Sequence, residues 1–204
     1  MRSVSLNRNL MAVVAAGAAM LGLESVGVCG VSTGAAAAVA KPPRTVTATR
    51  ITRRPGTLAS GKRVRSADIA GQRVFLSAKW GFALASVASA DYSVATTNGG
   101  RTWRTDGPAL HLDAAQAPLA VEFLGAVDRR ILFVWGGGQV IDTTSDGGRT
   151  WYSALFTDGS PVAVARGLGS HLVAFVGSFT GASVSQYVSK DGGRTWQYQT
   201  TVGR

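Results

Sequence analysis

Cysteine is nearly missing from this chain. Cys29 is the only one in 204 residues. The rest of the chain therefore forms no internal disulfide and no thiolate metal site, and it must be held together by packing. Histidine is almost as scarce. His111 and His171 stand 60 residues apart with no ligand spacing around either, so no zinc motif is present. After residue 40 a single glutamate remains, Glu122. No serine has the G-x-S-x-G setting of a hydrolase nucleophile. The Gly-rich "WGGGQ" at 135–139 lacks the Lys-Ser/Thr of a phosphate loop and is expected to be a tight turn. No cofactor and no metal are expected. From residue 66 onward no window sustains an apolar i, i+3, i+4 pattern, which argues against helices.

Acid is also missing from one stretch, and that absence locates the charge. The formal net charge is +10. Residues 41–65 hold eight Lys and Arg and no Asp or Glu, whereas residues 66–204 are close to balanced. The basic stretch is rich in Pro, Thr and Gly, and 41–71 is expected to be a flexible, solvated linker able to lie on an anionic cell envelope. It contains no aromatic residue for base stacking, so nucleic acid is not the expected partner. Before it, Arg2 and Arg8 precede the uncharged run "LMAVVAAGAAMLGL" at 10–23, and small residues follow to Ala38-Val39-Ala40. Residues 1–40 thus have the layout of a signal peptide cleaved near Ala40, on a secreted or envelope-associated protein. An uncleaved anchor is the alternative, although 14 apolar residues fall short of the roughly 20 that a span needs.

What is abundant is a repeated phrase. "TNGGRTW" (97–103), "SDGGRTW" (145–151) and "SKDGGRTW" (189–196) end on Trp103, Trp151 and Trp196, spaced by 48 and 45 residues. That is the period of one four-stranded propeller blade. Before each phrase come short runs rich in Val, Ile, Phe, Tyr and Thr, broken by Gly, Asn, Asp and Ser, which is strand-and-turn composition. The expected fold is all-β: a partial, three-bladed propeller over 72–204, with blades near 72–105, 118–155 and 161–201.

The shared pattern is [S/T]-x-[D/N]-x-G-x-T-W. Its members are Thr96, Asn98, Gly100, Thr102 and Trp103; Thr144, Asp146, Gly148, Thr150 and Trp151; and Ser189, Asp191, Gly193, Thr195 and Trp196. Asn98 replaces Asp in the first copy. An amide keeps the acceptor oxygen and loses the charge, so the duty common to all three is hydrogen bonding, not acid–base chemistry or metal ligation. The phrase resembles the Asp-box, or bacterial neuraminidase repeat, of sialidases, sortilin-type receptors and photosystem II assembly factor-like proteins. That resemblance implies a structural hairpin between the third and fourth strands of a blade, away from the ligand face. It also implies a binding or assembly module for a protein or glycan, with a sialidase-like glycoside hydrolase fragment or degenerate relative as the alternative. The hydrolase reading wants an Arg-Ile-Pro motif, an acid/base Asp and a Tyr–Glu pair. Here "RITRRP" (50–55) is a distant echo, and Glu122 is one carboxylate where two roles are needed.

Loops between second and third strands, and between blades, supply the expected ligand face: Asp91, His111, Asp113, Trp135, Asp158 and Phe179. Trp80 is expected in a blade core. Three blades are fewer than the four to eight of closed propellers. A truncated or decayed chain, a two-fold homodimer completing a six-bladed ring, or a cap supplied by 41–71 would each resolve the shortfall.

Overall fold

The computed structural model describes residues 42–112 and 121–203. The signal-peptide reading of 1–40 and the proposed ligand Asp113 lie outside them. The described chain is all-β, and its one helical turn is a 3-10 segment at Ser66–Asp68.

Three antiparallel blades follow one another. Blade one is β4 (Ile69–Phe75), β5 (Gly81–Val87), β6 (Ala90–Thr96) and β7 (Trp103–Thr105), with a two-residue strand β8 (His111–Leu112) beside β6. Blade two is β9 (Phe123–Ala126), β10 (Leu132–Trp135), β11 (Val140–Thr144) and β12 (Tyr152–Leu155). Blade three is β13 (Gly159–Arg166), β14 (Leu172–Ser178), β15 (Ser183–Ser189) and β16 (Thr195–Gly203). The fold is a partial β-propeller.

The basic segment departs from expectation. It carries strands β1 (Thr45–Thr47), β2 (Thr49–Arg50) and β3 (Arg63–Val64), which add a fifth, outermost strand to blades three, two and one respectively. Thr45 lies opposite Gln197, Arg50 opposite Tyr152, and Val64 opposite Trp103. Residues 42–65 are therefore a strap across the outer edges of the arc, not a free linker. "GKRVRSADIAG", which reads poorly as strand, holds β3 and the start of β4.

Alternation along each strand divides the core into layers. Phe82 and Leu84 of blade one meet Leu124, Leu132, Val134 and Trp151 of blade two. The other face of blade two gives Phe133, Ile141 and Ala154 to a layer with Leu172, Ala174, Tyr187 and Trp196 of blade three. Blade two is covered on both sides, and all five residues of β11 are buried. Each repeat Trp thus points toward the preceding blade. For Trp103 no preceding blade lies among the described residues. Its layer, with Ala83, Ala85, Tyr92 and Val94, packs instead against Leu58 of the strap. Phe75 meets the Trp103 ring edge-on at 6.0 Å, and the Tyr92 hydroxyl accepts a 3.0 Å hydrogen bond from the Leu58 N–H. The cap considered from sequence is real on this face. The strap therefore lies on the face at which a two-fold six-bladed ring would join its second copy.

Candidate functional site

The repeated hairpins are built almost identically. Thr96, Thr144 and Ser189 each donate a side-chain hydroxyl to the Asn or Asp two residues on, at 3.0, 2.9 and 2.8 Å. Each also accepts the N–H of the second glycine, at 3.0, 3.0 and 2.7 Å. The Asn or Asp then accepts the N–H of Thr102, Thr150 or Thr195 at 2.9–3.0 Å. Both glycines of every copy have positive φ, between 71° and 93°, where a side chain would be strained. The second glycine also touches the blade before it: a Cβ on Gly148 would strike Asp106, and one on Gly193 would strike Thr143.

Asn98 shows what the copies share. Its amide N–H donates to the Thr102 hydroxyl at 2.9 Å, whereas the Asp191 carboxylate accepts from the Thr195 hydroxyl at 2.6 Å. The bond reverses direction and the hairpin survives. Burial pushes the Asp146 and Asp191 carboxyls up, but the hydrogen bonds each accepts outweigh it and hold both below the ordinary carboxylate range. These groups are committed to the turn.

A different group of polar residues gathers in a concavity of about 410 Å³ at the opposite loops of blade one. Asp91 and His111 face each other across the β6–β8 pairing, and Glu122 lines the same space. The Ser86 hydroxyl donates to Asp91. The rim is the two-residue loop Ala88-Ser89, with φ of 47° and 62°. Type I′ hairpin loops favour Asn-Gly there, so these side chains are held in a sparsely populated conformation. Glu122 also joins the concavity to an aromatic pair. Its N–H donates to the Trp135 carbonyl at 3.1 Å, and Trp135 stacks on the next residue, Phe123, at 5.0 Å between centroids. Phe123 is 44% exposed. Asp91 and His111, chosen from loop placement, line this concavity, whereas Trp135, chosen on the same ground, packs with Phe133 toward the layer that blade two shares with blade three. Glu122 lines the concavity from the start of blade two, and Phe123 carries the neighbouring aromatic pair. Glu122 had been weighed only as a hydrolase carboxylate, and the exposure of an aromatic at the first position of β9 carries no mark in sequence.

Asp158 takes another role, while Phe179 keeps its expected loop position. Asp158 is buried and accepts the Tyr187 hydroxyl at 3.0 Å, so it braces blade three and does not face a ligand. Phe179 is 65% exposed on the β14–β15 loop, which Ser178 closes by accepting the N–H of Ser183 at 3.2 Å. Trp80 is half-buried and outside the core layers, with the Arg129 guanidinium 4.4 Å above its ring. No cluster of three His, Cys, Asp or Glu suited to a metal occurs among the described residues.

No protein-family model matches the sequence, and no curated protein matches it. Among solved structures, the chain is similar to one described as "YCF48 bound to D1 peptide", at 20% identity and a TM-score of 0.44. The match covers 70% of this chain and 45% of that one, so this chain spans less than half of its length.

Proposed function

We propose that the chain is a secreted, non-enzymatic binding or assembly module of the Asp-box propeller type. Its partner, a protein segment, seats on the surface formed by Phe123, Trp135, Asp91, His111 and Glu122. The observation that carries this reading is the Phe123–Trp135 stack, half open to solvent, next in the chain to Glu122, which lines a polar concavity. Rigid aromatic anchors beside fixed polar groups are what binding surfaces use for affinity and register. The hairpins themselves contribute framework. Export rests on the layout of residues 1–40, and sequencing the N-terminus of the protein recovered from outside the cell tests it.

Two carboxylates, Asp91 and Glu122, share the concavity, and this favours a second reading as a glycoside hydrolase. No tyrosine lines the space among the described residues. Screening peptide and glycan arrays with the protein, Trp135→Ala and Phe123→Ala decides between them. The proposal expects peptide ligands whose affinity falls roughly tenfold or more in both variants. Glycan ligands alone would redirect the partner class. Turnover of a fluorogenic glycoside that Glu122→Gln abolishes would overturn it.

A further inference from the structure

The strap and one repeat hairpin together make a second site, which the partner surface does not include. Where β2 crosses the outer edge of blade two, a concavity of about 280 Å³ is lined by Arg50, Arg53, Thr52, Ser60, Gly107 and Arg149. Its lining contains three guanidiniums and no carboxylate. The only ion pair among the described residues joins Arg65 to Asp68 elsewhere on the strap. Like charges gathered in one recess repel one another, and nothing in the recess offsets them.

The positions are nevertheless set by structure. Arg50 is paired to Tyr152 in the β2–β12 ladder, and the adjacent Ile51 N–H donates to the Trp151 carbonyl at 2.8 Å. Arg53 is tied by an Nη2–H bond to the Thr57 carbonyl at 2.8 Å. Arg149 sits on the hairpin that Thr144 and Asp146 lock. Gly107 lets the chain close the wall, since a Cβ there would strike the Gly148 carbonyl and the Trp151 ring. The three hairpin arginines are not equivalent. Arg194 lies 5.1 Å over the Tyr152 ring. Arg101 shares a recess with Arg63 and with Arg65, whose charge Asp68 already meets at 2.7 Å.

We infer that the Arg50–Arg53–Arg149 recess is a binding site for a phosphate group. Arginine forks match the oxygen geometry of phosphate, and a doubly charged tetrahedral anion offsets more of the local charge than a carboxylate. The space falls at the small end of ligand pockets, sized for a head group. Because one wall is strap and the other is blade, the bound anion also clamps β2 to β12. This inference does not depend on the proposed partner surface.

The test is titration with inorganic pyrophosphate, against sodium chloride at matched ionic strength. A saturable rise in Tm is expected, with slowed hydrogen exchange at residues 49–53. Arg149→Gln and Arg50→Gln should each weaken binding roughly tenfold while remaining folded, because removing one like charge relieves repulsion. Arg101→Gln should bind as the parent does. A rise in Tm that sodium chloride reproduces, or one lost equally in Arg101→Gln, overturns the site, as does unchanged binding in Arg149→Gln. Phe123→Ala should leave pyrophosphate binding intact, which separates this result from the fate of the partner surface.

Discussion

At the scale of single residues, the described protein contains two kinds of aspartate. Those in the repeat hairpins are held ionised by the hydrogen bonds they accept. Asp142 and Asp106 are the reverse. Burial pushes both up to about 7; the Ser153 and Ser93 hydroxyls offset only part of this, and the Asp146 charge adds to the rise at Asp106. Asp142 is fully buried on β11, with neither oxygen in a hydrogen bond of good geometry. A carboxyl whose pKa rises on folding favours the native state below its unfolded value, and that stability is lost as pH climbs through the folded value. Stability should therefore decline between about pH 4 and pH 7. Asp142→Asn should flatten that decline, melting higher than the parent at about pH 8 and no higher at about pH 4. Denaturant titrations at the two pH values check it. The hairpins were legible in sequence because their information is local and repeated: glycines at positive φ, a hydroxyl two residues before an acceptor, and a closing Trp. Asp142 was not, since "QVIDTT" reads as half-exposed strand. Only its place in the middle blade, covered on both faces, buries every residue.

At the scale of elements, the strap replaces a missing neighbour. A blade at the end of an arc leaves one apolar face bare, and here Leu58 and the turns around it cover the layer of Trp103, Tyr92 and Val94. Removing residues 42–65 should expose that layer, quench no hairpin, and lower or abolish cooperative unfolding. Tyr92→Phe, which deletes only the bond to the Leu58 N–H, should cost about 1 kcal/mol by chemical denaturation. The strap was illegible for a physical reason. Its strands are two or three residues long, polar at most positions, and paired with residues up to 152 positions away. Periodicity cannot mark so short a strand. Composition pointed to solvation, while backbone pairing at an outer edge asks little of the side chains.

At the scale of the whole molecule, the strap covers the outer face of blade one, and no described residue covers that of blade three. The outer face of blade three presents Val173, Phe175, Val184 and Val188, with Val162 and Val202 more than half exposed. Substituting Phe175 and Val202 together with lysine should reduce binding of a hydrophobic dye while shifting stability by no more than about 0.5 kcal/mol. A large loss of stability would mean that this face is already covered in solution. The blade count was readable from three tryptophans at regular spacing. The asymmetry between the two ends was not, because it depends on where the strap lies.

The order of the strap's pairings has a consequence for how the protein is made. β3 can join blade one as soon as that blade exists, and β2 waits for blade two. Among the described strands β1 is the earliest in the chain, and its partner is the latest, β16. Its three residues wait for β16, and pairing them closes the longest loop between paired strands among the described residues. A chain halted before β16 would leave β1 without this partner.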